Sequence, residues 1–225
     1  SLDRFNVRVG KKKLSLALPE GAAMPRDEFD RRIVSEAVHR GCEFLPNASA
    51  LVLPDTDSDG ATRQIKVTVA EEAFTIHARV VLACDGIAGN SLQHEPWARW
   101  HIARNARFGA AATLPNGPAS EIFAHHATIG MHVGGRGYVG TARYAVGRVH
   151  IAAALDPGAC RDLGGPARVI VGILGDSGIQ NTAALLDARF RGAGLLTRRR
   201  AAVGGHRVLA VGDACGYVEP FTGEG

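Results

Sequence analysis

The sequence predicts a mixed α/β protein in which a ligand-binding layer of buried strands is interrupted by an antiparallel domain and then resumed. Two almost continuous apolar runs, Val80-Val81-Leu82-Ala83 and Val208-Leu209-Ala210-Val211, have the composition of strands buried on both faces. Each ends in a corner that combines glycine with a carboxylate, Asp85-Gly86 and Gly212-Asp213. Between them, from about Trp97 to Arg200, apolar segments are separated by glycine turns in the manner of a meander.

Taken in order, Val7 and Val9, then Leu14, Leu16 and Leu18, alternate with polar residues on either side of Gly10-Lys11, which predicts a hairpin. Phe29, Ile33, Ala37 and Val38 recur at helical spacing after Pro25, with Asp27 and Glu28 in the first turn and Gly41 as a left-handed stop. Residues 42 to 45 read as a short strand. Leu51-Val52-Leu53, the polar turn from Pro54 to Gly60, and the alternating Ile65, Val67 and Val69 form an antiparallel excursion that returns through Phe74 and Ile76. Strands are expected over 121–133, 138–144 and 149–155, around the turns Gly134-Gly135-Arg136-Gly137 and Gly147-Arg148, and helices over 166–174 and 182–190.

Composition bounds the partners. The chain has 225 residues, 46% hydrophobic and 21% charged, the balance of a globular protein rather than a disordered one. The +4 net charge is dispersed apart from Lys11-Lys12-Lys13 and Arg198-Arg199-Arg200, so both runs read as solvated surface and no nucleic-acid partner is expected. No apolar stretch approaches the roughly 20 residues that span a bilayer, which points to the cytoplasm and leaves peripheral membrane contact open. Cys42, Cys84, Cys160 and Cys215 lie far apart, without zinc or disulfide spacing. His126 and His132 share a strand face by alternation and His125 points to the other, and no carboxylate or cysteine stands where it would complete a metal site. They read as packing or surface histidines, with His132 also a candidate to line a site.

The most informative stretch runs from Arg207 through Gly212-Asp213-Ala214-Cys215-Gly216 to Pro220-Phe221-Thr222-Gly223-Glu224-Gly225. Open α/β sheets bind ligands beyond the carboxyl ends of their strands, and this strand delivers a glycine and a carboxylate to that edge. Asp213 suits sugar-like hydroxyls as donors, and Gly212 lets a ligand come close. The glycine-bearing loop that follows, stiffened by Pro220, exposes amides to a planar acceptor ring. A helix beginning after Gly225 would direct its positive end at negative charge on that ring.

G-D-A-x-G-x-x-x-P-x-T-G-x-G resembles the second flavin-binding motif of the geranylgeranyl reductase family, part of the wider group of class A flavoprotein monooxygenases and flavin-dependent halogenases. The resemblance implies FAD as cofactor, Gly212 and Asp213 at the ribityl chain, and Pro220, Thr222, Gly223 and Gly225 around the isoalloxazine. Asp85-Gly86, with Ser91 shortly after, resembles the family's Asp-Gly on the nucleotide side, and Arg26-Asp27-Glu28-Phe29-Asp30 its R-x-x-F-D helix entry, whose Arg approaches the cofactor. Tyr138-Val139-Gly140 and 149–154 resemble the substrate-domain strands over the flavin.

The implied architecture is a partial FAD-binding Rossmann-like domain interrupted by an antiparallel-sheet substrate domain. Residues 1–20 would be a hairpin of the substrate domain, 21–95 part of the FAD-binding domain, 96–200 the substrate domain and 201–225 the closing flavin motif. The G-x-G-x-x-G turn of such folds is not found, so a fragment is expected, carrying little flavin by itself. The implied activity is hydride transfer between flavin and an apolar small molecule of isoprenoid or similar type, with NAD(P)H as a candidate donor. No catalytic side chain is singled out. The rival is a class A hydroxylase, in which His commonly follows the G-D-A-A segment; this chain has Cys215-Gly216 there. A halogenase is a further alternative, although Trp97-Ala98-Arg99-Trp100-His101-Ile102 departs from that group's W-x-W-x-I-P.

Overall fold

The computed structural model describes residues 2–22, 24–55, 60–117, 120, 122–123, 128–144, 147–219 and 221. It begins with a hairpin, β1 (Leu2–Val9) and β2 (Lys12–Gly21), followed by helix α1 (Arg26–His39). An antiparallel trio, β3 (Ala48–Val52), β4 (Arg63–Val69) and β5 (Glu72–Ala78), leads to the short β6 (Val81–Ala83) and β7 (Trp100–Ile102). Four strands follow, β8 (Phe108–Leu114), β9 (Thr128–Gly134), β10 (Gly137–Arg143) and β11 (Val149–Leu155), then helices α2 (Pro157–Asp162) and α3 (Pro166–Asp176). The chain closes through β12 (Arg191–Leu195), β13 (Arg198–Arg200), β14 (Gly204–Gly205), β15 (Val208–Ala210) and β16 (Gly216–Tyr217).

Two units result. The first comprises Ser1–Asp30, Arg107–Leu196 and Glu219–Gly225. It carries a seven-stranded sheet in the order β12-β8-β11-β10-β9-β1-β2. The meander expected from the glycine turns is present, although the strand expected over 121–133 starts only at Thr128, residues 122–123 lying in a turn, and the sheet is mixed, because β1 runs parallel to β9 while the remaining pairs are antiparallel. Helix α3 starts on Pro166, where the missing N–H costs nothing, and buries Val169, Ile170, Ile173 and Leu174 against Val139, Val149, Ile151 and Leu155 of the sheet. Each buried aliphatic side chain contributes roughly 2 kcal/mol. The helix expected over 182–190 is only a 3-10 turn, Thr182–Leu185, since a segment anchored by the single buried Leu185 is too short to sustain helical cooperativity.

The second unit comprises Arg31–Ala106 and Thr197–Val218 and holds three small sheets, β3-β4-β5, β14-β15-β6 and β16-β13-β7. Its core gathers Val52, Ala83, Leu92, Ala98, Val208, Ala210 and Ala214. Three expectations need correction. Residues 42–45 form no strand, because no segment among the described residues pairs with them, and Phe44 and Leu45 stay exposed. Val81–Ala83 and Val208–Ala210 are buried on one face only, leaving Leu82 60% and Leu209 47% exposed on the other. Helix α1 forms where its spacing predicts and ends at Gly41 with φ +89°, yet Phe29, Ile33 and Val38 are exposed and the helix buries none of its residues.

No helix among the described residues is long and apolar enough to cross a membrane.

Candidate functional site

Strands β6 and β15 are parallel neighbours, with Val208 opposite Val81, Leu209 opposite Leu82 and Ala210 opposite Ala83. Parallel pairing sends both chains out at the same edge, so Asp85-Gly86 and Gly212-Asp213 leave the sheet side by side. The Val211 N–H extends the ladder to the Ala83 carbonyl at 2.9 Å. Gly212 (φ +62°) and Gly86 (φ +70°) then adopt the left-handed backbone that tightens both corners, and a Cβ on either would meet no atom within 4 Å. The space beside these two bends is open.

The two carboxylates differ. Asp85 Oδ2 accepts the Ser91 N–H at 2.8 Å, closing its own loop. Asp213, in the turn Gly212–Ala214, is exposed and accepts no hydrogen bond from the described residues. An exposed carboxylate on a glycine corner at the end of a strand, with acceptor capacity that the described residues leave unused, fits a ligand rich in hydroxyls.

Arg200, read from its sequence run as solvated, is 4% exposed and holds the two corners in place. Its Nε–H donates to the Ala214 carbonyl at 3.0 Å, one terminal nitrogen to Ala98 O at 2.5 Å and the other to Gly89 O at 2.8 Å. One planar fork thereby joins the loop after β6 to the turn after β15. Its guanidinium carbon lies 3.9 Å from the centre of the Trp100 ring, and that of Arg198 lies 5.2 Å from it. Burial lowers the Arg200 pKa, and the Asp85 carboxylate acts in the opposite direction. Gly89 (φ +55°) is required here, because a Cβ would collide with the guanidinium. Strand alternation puts Arg198 and Arg200 on one face, the signal in the sequence that separates them from the exposed Arg199.

A second buried cation braces this unit. Arg63 is 3% exposed, donates to Leu53 O at 2.8 Å and pairs with Glu95 and with Asp55, the latter at 3.2 Å. Glu95 also accepts the Trp97 indole N–H at 2.5 Å, and Asp55 lies 2.8 Å from His206 Nδ1. Nothing local in the sequence announces this network, whose members come from distant segments.

Within the first unit, the entry to the glycine-bearing loop rests on β10. Phe221 meets Tyr138 edge-on with ring centres 5.3 Å apart, while Arg107 stands 5.6 Å from the same ring and pairs with Glu219. Arg26 also belongs to this unit, exposed in the first turn of α1 and ion-paired with Asp30 at 2.6 Å. Pro220, Thr222, Gly223 and Gly225 lie outside the described residues, as do His125 and His126. His132 is buried.

A family model described as FAD binding domain matches residues 5–225. The chain belongs to the FAD binding domain family. Members of this family are flavin-dependent enzymes, and the mixed α/β architecture agrees with its Rossmann-like fold. Among solved structures, the FAD binding domain chain resembles CmlS, a flavin-dependent halogenase, at 15% identity and TM-score 0.72, covering 97% of this chain and 42% of that one. A flavoprotein/dehydrogenase from Cytophaga hutchinsonii aligns at 13% identity and TM-score 0.73, covering 97% and 56%. A geranylgeranyl bacteriochlorophyll reductase-like protein from Thermoplasma acidophilum aligns at 15% identity and TM-score 0.64, covering 95% and 55%. The FAD binding domain chain thus spans about half the length of these structures, and at such identities the likeness concerns the fold. No curated protein matches the sequence.

Proposed function

We propose that this chain supplies the ribityl-binding corner and a substrate-facing sheet of an FAD-dependent oxidoreductase, with hydride transfer between flavin and an apolar small molecule as its reaction. The observation that carries the proposal is the parallel register of Ala210 with Ala83, which puts Gly212-Asp213 beside Asp85-Gly86 on one strand edge. Asp213 accepts hydrogen bonds from the ribityl hydroxyls, and Gly212 and Gly86 leave room for the ligand to approach the backbone. Arg200 positions both bends by holding Gly89, Ala98 and Ala214. Pro220, Thr222, Gly223 and Gly225 are assigned to the isoalloxazine and Arg26 to the cofactor's polar oxygens, on the resemblance of their motifs. Bound FAD supplies the two-electron chemistry; the protein contributes orientation and a dry surface. NAD(P)H is the proposed electron donor.

A halogenase or other oxygen-dependent reaction is the second reading, suggested by the flavin-dependent halogenases among the solved structures of this fold. NADPH consumption by the complete gene product, measured with and without oxygen, separates the two. Turnover that proceeds anaerobically supports the reductase, and product formation that requires oxygen overturns it.

A further inference from the structure

On the sheet of the first unit, Val139 faces α3, and because His132 is its cross-strand partner, His132 faces the same way. The parallel register of β1 with β9 brings Arg8 beside His132 and Asn6 beside Gly130, and β10 adds Thr141 and Arg143 on the same face. Together with Ile122, Phe123 and Ile179, these side chains line a half-open cavity of ≈ 60 Å³ just past the C-terminal end of α3. Its wall is largely apolar, with a cluster of polar groups set into it. His132 is 5% exposed and its Nδ1 has no hydrogen-bond partner; Asn6 Oδ1 and Arg143 Nε are likewise buried and unpaired. Burial, seconded by the Arg8 charge, lowers the His132 pKa to about 4, so the ring is neutral near pH 7.

Unpaired buried polar atoms converging on one space indicate an occupant. Water would need about 10–15 Å³ per molecule and would fit, but it does not neutralise charge. Arg8 and Arg143 both reach the cavity, and no carboxylate lines it among the described residues. Arg8 donates to the Ser177 carbonyl at the end of α3 at 3.0 Å, and Arg143 to the Ser120 and Phe123 carbonyls at 3.1 and 3.4 Å. Those contacts fix the guanidiniums while supplying only carbonyl dipoles and about half a negative charge from the helix end. The positive charge stays in excess, and a small anion satisfies both the charge and the free Nε–H.

We propose that this cavity is a binding site for a small carboxylate, held between Arg143, Arg8 and the His132 ring, with the Thr141 hydroxyl turning from the Gly130 carbonyl that it meets at 3.4 Å, and Asn6 rotating its amide NH2 inward, to complete the donor set. Gly130 keeps the space clear: a Cβ there would stand 2.5 Å from Thr141 Oγ1 and 3.3 Å from His132 Nε2.

The test titrates the histidine-labelled protein with sodium acetate against sodium chloride at equal ionic strength, following the His132 ring nitrogens by NMR. Acetate is expected to give a saturable shift and to raise the His132 pKa, which chloride does not. Arg143→Lys, which keeps the charge but loses the fork, is expected to weaken acetate by about tenfold or more, and Gly130→Ala to abolish the saturable response. Should Gly130→Ala fail to fold, Thr141→Val, which is nearly isosteric, provides the same reading through weaker binding. Octanoate binding more tightly than acetate would identify the carboxylate as the end of a larger apolar molecule; equal affinity would identify a free small acid. A response identical in chloride and acetate, or acetate affinity unchanged in Arg143→Lys and Thr141→Val, overturns the assignment.

Discussion

Replacing Arg200 by Met tests the reasoning about the two corners most directly, because the substitution roughly preserves side-chain length and removes every donor. Three bonds from a cation to carbonyls are lost, at 2.5, 2.8 and 3.0 Å. At the lower end of charge-assisted hydrogen bonds, about 1.5 kcal/mol each, they amount to ~4.5 kcal/mol, and the Trp100 stacking adds ~1 kcal/mol. Relief of the cation's burial, the cause that lowers its pKa, returns part of this, so a net loss of about 3–4 kcal/mol is expected. The chain's two tryptophans, Trp97 and Trp100, both lie in the second unit, so their emission during urea unfolding reports that unit selectively. With a slope of about 1.5 kcal/mol per molar for a domain this small, the midpoint should fall by roughly 2 M. A midpoint within about 0.5 M of wild type would refute the clamp.

In the complete gene product, Asp213→Asn should weaken FAD by about tenfold, whereas the exposed Asp187→Asn should not, as read by flavin fluorescence on titration; equal affinities would remove Asp213 from the site. Glu95→Gln leaves Arg63 without its closest buried partner and should destabilise the second unit by about 3 kcal/mol, measured by the same tryptophan transition. The His132 ring titrates near 4 when folded and near 6.5 when unfolded, so as pH falls the unfolded chain takes up the proton first. Its contribution is complete above pH 6.5 and is lost progressively down to pH 4, a total of about 3 kcal/mol. Urea unfolding of wild type and His132→Leu between pH 7 and 4, without added carboxylate, should show the wild type losing that much more. Gly212→Ala should cost about 1–2 kcal/mol through the left-handed backbone alone, visible as a lower thermal midpoint.

The strand corners were legible because their signals are local: an apolar run, a glycine and a carboxylate in succession. The hairpin of Val7 to Leu18, helix α1 and the Gly134–Gly137 turn follow from period and turn chemistry in the same way. What was not legible depends on residues far apart in the chain. The parallel insertion of β1 beside β9 leaves no trace in either segment's pattern. Arg200 looked like a member of a charged triplet until the register with Trp100 was known, and Arg63, Asp55, Glu95 and His206 share no spacing at all. The exposed faces of α1 and of Leu82 and Leu209 show the converse limit, since an apolar pattern specifies a surface suited to burial without naming what covers it.

The pairing of β6 with β15 also sets a timetable. Arg207, just before β15, bonds the carbonyl of Arg79, just before β6, across 128 residues of chain. At about 5–20 residues per second on the ribosome, β6 is made roughly 6–25 s before its ladder partner emerges. Throughout that interval β6 lacks its ladder partner among the described residues, while five of the seven strands of the large sheet, β8 to β12, are synthesised, leaving an unpaired strand edge of the kind that is prone to pair wrongly.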